Sequence, residues 1–166
     1  FTPHDTHDWD ATEIPVLIDA TFHGQPRKLL VQANRNGFFY VFDRVTGKLL
    51  RAKPFINKLT WASGIGPDGR PQVLPNTDST PEGNKVCPSV VGGTNWFSPT
   101  YNPSTGLFYV IAIEDCSAYV SSVQGYQQGR GFDESVLGLE HQGFRHRLAL
   151  HVGVEACHFG KRRPDL

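Results

Sequence analysis

One turn is used twice in this chain, and each time it joins two runs of alternating apolar residues. Asp43-x-x-Thr46-Gly47 follows the run 38–42, and Asn102-x-x-Thr105-Gly106 follows the run 97–101. In both, a short polar side chain can accept backbone N–H groups further along the turn, and the glycine takes a left-handed conformation at no steric cost. Apolar alternation on either side is the period of a half-buried strand. The copies lie 59 residues apart, which points to a repeated sheet unit of the kind found in β-propellers, although ordinary hairpins would also use such turns.

The neighbouring sequence extends the pattern. Strands are predicted over 16–22, 28–33, 38–42 and 48–51, with turns at His23-Gly24-Gln25-Pro26 and Asn34-Arg35-Asn36-Gly37. The last three of these make an antiparallel meander. A further strand is expected over 107–113. Residues 53–86 are rich in glycine and proline and read as a long loop, the kind that serves as a lid or partner surface. From residue 123 the alternation stops. Four of the seven histidines and the terminal Lys161-Arg162-Arg163 lie beyond that point, and 136–139 and 147–154 offer only short apolar patches.

Composition narrows the function. Sixteen basic and sixteen acidic side chains cancel, against the basic stripe of a nucleic-acid binder. Aromatic residues at 11% are too many for a disordered linker. No apolar run is long enough to cross a membrane as a helix, and no signal peptide is visible. With no methionine in its 166 residues, the chain is expected to be a fragment of a longer protein whose own leader is not in view.

The densest polar cluster is Thr2-Pro3-His4-Asp5-Thr6-His7-Asp8-Trp9-Asp10. Asp8 and Asp10, two apart, face one way if the backbone is locally extended. Carboxylates so placed suit a hard, oxygen-preferring cation, or one can serve as general base; a capping or solvated turn has the same composition. No Cys/His set with zinc spacing follows His4 and His7. Cys87 and Cys116 are 29 residues apart, small core residues in a reducing compartment or a disulfide in an oxidising one. Cys157 is left over. There is no Cys-x-x-Cys-His, hence no c-type haem attachment in this segment. His141, His146 and His151 recur every five residues, a spacing that does not share a helix face.

The polar cluster at 2–10, then Leu29-Leu30-Val31-Gln32-Ala33-Asn34-Arg35-Asn36-Gly37, then Asp43-Arg44-x-Thr46-Gly47, resembles the pyrroloquinoline quinone (PQQ)-dependent alcohol and methanol dehydrogenases. So do Cys87-Pro88-Ser89, Thr94-Asn95-Trp96 and Tyr101-Asn102-Pro103. The resemblance runs from residue 1 to about 122 and implies an all-β fold, a few adjoining four-stranded blades of an eight-bladed propeller. Residues 123–166 depart from the family, as a divergent insertion or a frameshifted, disordered gene end would.

That resemblance also assigns roles. Asp8 matches the catalytic aspartate that takes the alcohol proton, and Arg35 the basic residue beside the quinone carbonyls. Asn95 matches an asparagine that hydrogen-bonds the cofactor, with Trp96 a weaker candidate. Asp8 and Asp10 would bind the metal. Asp10 stands where lanthanide-using members carry an extra carboxylate and calcium-using ones a small residue, and a trivalent ion gains more from each anion; alternatively Asp10 only hydrogen-bonds the following turn. The remaining ligands lie on blades outside this chain. Cys87 and Cys116 match a family disulfide, which implies a periplasmic protein. The implied activity is oxidation of a small primary alcohol to an aldehyde by hydride transfer to PQQ, with calcium or a lanthanide as Lewis acid and cytochrome c as electron acceptor. The rival from another class is a non-enzymatic propeller that only binds proteins, which has no reason to keep Asp8, Arg35 and Asn95 as a set.

Overall fold

A computed structural model describes residues 1–123, 125, 128 and 129, together with the backbone of 144–151. Among the described residues every regular element is a strand. In chain order they are β1 (Val16–Phe22), β2 (Gln25–Ala33), β3 (Phe38–Asp43), β4 (Leu49–Pro54), β5 (Ala62–Ile65), β6 (Pro71–Val73), β7 (Asn84–Val86), β8 (Thr100–Asn102), β9 (Leu107–Glu114), β10 (Ser117–Tyr119) and β11 (Phe144–His151).

The expected meander is the centre of the structure, and it gains a strand. β1 to β4 form one antiparallel sheet in sequence order. β2 starts at Gln25, not at 28, because His23 and Gly24 both take positive φ, 50° and 73°, and close a two-residue hairpin that pairs Phe22 with Gln25. That backbone twist matches the twist of the strands it joins.

Both copies of the shared turn form as expected. Asp43 Oδ1 accepts the N–H groups of Val45 and Thr46 at 3.0 and 3.2 Å, and Asn102 Oδ1 accepts that of Ser104 at 2.9 Å. Gly47 and Gly106 follow at φ 73° and 67°. The second turn joins β8 to β9, and β11 pairs along the other side of β9, Phe144 opposite Glu114. A strand therefore lies within the 123–166 tail. The strand expected over 97–101 is shorter and later, Thr100–Asn102, and the loop-rich stretch 53–86 contains the small β5–β6 hairpin and β7.

Two apolar clusters hold these pieces. In the first, Leu29, Val31, Phe39 and Val41 of the meander pack with Phe108, Val110 and Ala112 of β9, so the two sheet units share a core. In the second, Phe38 and Tyr40 project from the other face of β3 and meet Trp9, Trp61, Val86 and Tyr119. Period-2 alternation along β3 supplies both. The second cluster is what draws the irregular N-terminal segment onto the sheet.

Candidate functional site

Trp9 is the anchor of the N-terminal segment. It is almost wholly buried, its indole Nε1 donates to the Ser89 carbonyl at 2.8 Å, and the His7 ring stacks on it at 4.2 Å with 9° between planes. His7 is buried as well, with Nε2 2.6 Å from the Thr77 carbonyl oxygen; a carbonyl only accepts, so that nitrogen carries the proton. Burying an indole removes on the order of 200 Å² from water, about 5 kcal/mol at 25 cal/mol per Å².

Between these two buried rings, Asp8 points outward. It does so through a left-handed backbone, φ 63°, and not through the extended conformation expected for the segment, which contains no strand. The left-handed region costs a non-glycine residue roughly 1–2 kcal/mol, least for Asp and Asn, well below what the burial of Trp9 returns. Asp8 and Asp10 are both exposed with Trp9 turned inward, so the expected alternation holds in outcome, but its cause is the anchoring of Trp9.

Arg35 lies across from Asp8. Its Nη2 is 3.7 Å from Asp8 Oδ2, with side-chain exposures of 10% for Arg35 and 68% for Asp8. A pair open to water on one side contributes no more than about 1 kcal/mol, so Asp8 does not hold Arg35 in place. Its backbone does. Nη2 donates to the Val90 carbonyl at 2.5 Å, the Gly93 N–H donates to the Arg35 carbonyl at 2.7 Å, and the Arg35 N–H donates to Glu13 Oε2 at 3.3 Å. Within the 34–37 turn, Asn34 and Asn36 side chains accept the N–H groups of Asn36 and Phe38, each at 3.1 Å. Buried asparagines thus do for this loop what a ladder does for a strand.

Asn95 belongs to the loop that docks on Arg35. A Cβ at Gly92, φ 88°, would sit 2.7 Å from Arg35 Cβ and 2.8 Å from its carbonyl oxygen, so only glycine allows this approach. Asn95 Nδ2 donates to the Val91 carbonyl at 2.9 Å, the residue after the carbonyl that holds Arg35, and its Oδ1 accepts the Trp96 N–H at 2.8 Å. One amide hydrogen remains for a ligand. Trp96 is 77% exposed. The structure therefore brings Asp8 and Arg35 together and seats Asn95 on the same loop pair.

Cys87 and Cys116 are joined as a disulfide, their α-carbons 4.3 Å apart. The bond sits at the end of the β7–β10 ladder, next to the Val86–Ser117 pair, and at the root of the loop that carries Val90 and Asn95. Cys157 lies outside the described residues, as does His141, and His146 and His151 fall in β11, which is described by its backbone. Among the described residues no group of three or more His, Cys, Asp or Glu side chains could hold a metal ion. Asp8 and Asp10 can therefore supply only part of a ligand set.

Sequence reasoning missed Glu13 and Asp5. Glu13 is buried, its Oε1 finds no hydrogen-bond partner, and its carbonyl accepts Gln32 Nε2 at 2.6 Å. Burial pushes its carboxyl above the ordinary 4.5, against the opposing pull of backbone N–H groups and the Arg35 charge. A carboxyl raised in the folded state contributes stability that is fully present below about 4.5 and lost as pH rises through the folded value. Glu13→Gln keeps the acceptor for Arg35 and removes the ionisation. Its stability relative to the parent should climb over that window and then level off, by about 1.4 kcal/mol for each unit of elevation. Chemical denaturation at intervals from pH 4 to 8 measures it; a difference independent of pH would contradict a raised Glu13.

Relatives and solved structures resemble this chain in sequence and fold. A family model described as the PQQ glucose/ethanol/alcohol dehydrogenase β-propeller domain matches residues 1–52. The quinohemoprotein alcohol dehydrogenase ADH IIB of Pseudomonas putida is 44% identical over 133 residues, 80% of this chain and 19% of that protein. A lanthanide-dependent methanol dehydrogenase of Methylorubrum extorquens is 33% identical over 149 residues, 83% of this chain and 25% of its own length. A solved europium-containing methanol dehydrogenase superposes with a TM-score of 0.69 at 31% identity, covering 95% of this chain and 25% of that one. The chain thus spans about a fifth to a quarter of the proteins it matches. By sequence and by fold together, it belongs to the PQQ-dependent alcohol and methanol dehydrogenases and forms part of their β-propeller.

Proposed function

We propose that the intact protein oxidises a primary alcohol to an aldehyde with PQQ and a bound metal ion, and that Asp8 is its general base. The observation that carries this reading is the approach of the exposed Asp8 carboxylate to the Arg35 guanidinium at 3.7 Å, on loops fixed from behind by buried residues.

The residues fit an anionic, carbonyl-bearing cofactor. Arg35 Nε, Ser89 Oγ and Thr94 Oγ1 are buried without a hydrogen-bond partner, which is unusual unless such atoms answer to something further. Arg35 and Asn95 would hold the quinone edge, with Trp96 beside them, and Asp8 and Asp10 would contribute to the metal. When bound, PQQ supplies a two-electron acceptor and the metal a Lewis acid. Asp8 then needs only to accept the hydroxyl proton on a carboxylate oxygen, which its solvent-facing side chain is free to do. Arg35 supplies fixed positive charge in a half-closed site, where it acts more strongly than in water.

A second carboxylate two residues on favours a trivalent ion. Two relatives named as lanthanide-dependent are 33% and 36% identical over 83% and 77% of this chain, and an added anion at Asp10 would give a 3+ ion the larger gain. In the intact protein, Asp10→Ala should weaken activation by lanthanum roughly 10-fold or more, at least what loss of a group that merely orients a ligand costs, and calcium activation less. PQQ-dependent alcohol oxidation with each metal added in turn measures this. Equal activity with both metals, unchanged in the variant, would leave Asp10 a turn residue and the enzyme a calcium one.

We further propose a periplasmic location and a cytochrome c as electron acceptor. The disulfide supports an oxidising compartment, and a relative named 1-butanol dehydrogenase (cytochrome c) supports the acceptor. Protease accessibility in spheroplasts and reduction of a purified cytochrome c test the two separately.

A further inference from the structure

Asp8 is a non-glycine residue in left-handed backbone at φ 63°, and something must hold it there. The neighbouring hydrogen bonds identify what does. Asp5 Oδ1 accepts the N–H of His7 at 2.9 Å, and Asp5 Oδ2 accepts the N–H of Trp9 at 2.6 Å. One carboxylate therefore grips the backbone on both sides of Asp8. Its own side chain is only 19% exposed, and both of its oxygens are engaged by these backbone groups.

We propose that Asp5 is the positioning residue of this site: by clamping the N–H groups of His7 and Trp9 it fixes the left-handed turn that presents the Asp8 carboxylate to Arg35. The inference rests on Asp8 being the base. The two gripped residues carry the stacked rings, His7 on Trp9, and those rings are fastened in turn to the Thr77 and Ser89 carbonyls. The clamp converts that anchorage into a direction for Asp8. Charge-assisted bonds to backbone N–H groups are short and strong; burial pushes the Asp5 carboxyl up, but the nearby His7 ring and the two backbone N–H groups together bring it below its ordinary value. His7 Nδ1, 3.7 Å from Asp5 Oδ1, is the ring nitrogen nearest the clamp, too distant for a hydrogen bond.

A structural carboxylate and a positioning one differ in what rescues them. If Asp5 acts by sustaining the positive φ at residue 8, its removal matters less when residue 8 is glycine, which adopts that φ freely. The experiment is a thermal-midpoint cycle on the intact protein with Asp5→Ala, Asp8→Gly and the pair, alongside kcat and KM for the alcohol in Asp5→Ala alone. The expected result is a midpoint drop for Asp5→Ala that shrinks in the Asp8→Gly background. With it, kcat should fall by roughly 10-fold or more, the scale of a small misplacement, at unchanged KM. Asp5→Asn, which keeps one acceptor oxygen, gives an intermediate result and takes the alanine variant's place if that variant does not fold. An equal midpoint drop in both backgrounds, or an unchanged kcat, overturns the proposal. If the parent protein oxidises no alcohol, the reading of Asp8 as base fails, while the thermal cycle still decides whether Asp5 holds the turn.

Discussion

Asp8→Asn is expected to lower kcat for alcohol oxidation by roughly 10²- to 10⁴-fold, the usual worth of a general base, while leaving the fold intact. Asparagine is the right replacement because it also tolerates the left-handed φ of 63°. The side chain is 68% exposed, so little packing is lost, and substitutions at such places stay within about 0.5 kcal/mol. The change is therefore confined to a carboxylate oxygen that accepts a proton becoming an amide that does not. Steady-state kinetics with a primary alcohol, beside a denaturation curve, separate the two. Retention of a tenth or more of the parent kcat would move the base elsewhere, with Asp10 the nearest alternative in sequence.

Loss of the Cys87–Cys116 bond is expected to have the largest effect on stability. The two sulfurs close a separation of 29 residues, and the chain-entropy model gives about 3.5 kcal/mol for a loop of that length. Few domains have more than two or three times that to lose. The consequence reaches the site, because the loop that starts at Cys87 carries the Val90 carbonyl under Arg35 and the Asn95 amide. Reduced protein, or Cys87→Ser with Cys116→Ser, should show a denaturation midpoint lowered accordingly and a weaker hold on the quinone. A shift worth less than about 1 kcal/mol would mean that the β7–β10 ladder and the Trp9 anchor already fix this loop, and that the bond contributes less than the roughly 2–4 kcal/mol typical of disulfides.

Much of the sheet framework can be read directly from residues. Alternation over 16–22, 28–33 and 38–42, punctuated by Asn-Gly and by the Asp43 turn, leaves few ways to fold other than a meander, and it forms with nearly those limits. The disulfide partners and the meeting of Asp8 with Arg35 follow from the family resemblance; spacing alone leaves both open. What escapes is what depends on distant partners. The left-handed Asp8 is not legible in the segment, since the Asp5 clamp that holds it becomes a fixed direction only once Trp9 finds Ser89 eighty residues away. β5 and β6 are short, and the glycines and prolines around them mask any alternation. β11 owes its place to pairing with β9, more than thirty residues earlier. Glu13 reads as an ordinary surface acid until the fold closes Arg35 over it.

The central claim is that this chain carries the proton-accepting side of a PQQ-dependent alcohol-oxidising site. The most direct measurement is oxidation of ethanol by the intact protein, followed with a dye acceptor, with and without added PQQ and in the presence of a lanthanide or calcium. Aldehyde formation that requires PQQ and is abolished in Asp8→Asn is the expected result. Tight PQQ binding with no aldehyde from any primary alcohol, or oxidation indifferent to Asp8, would contradict it.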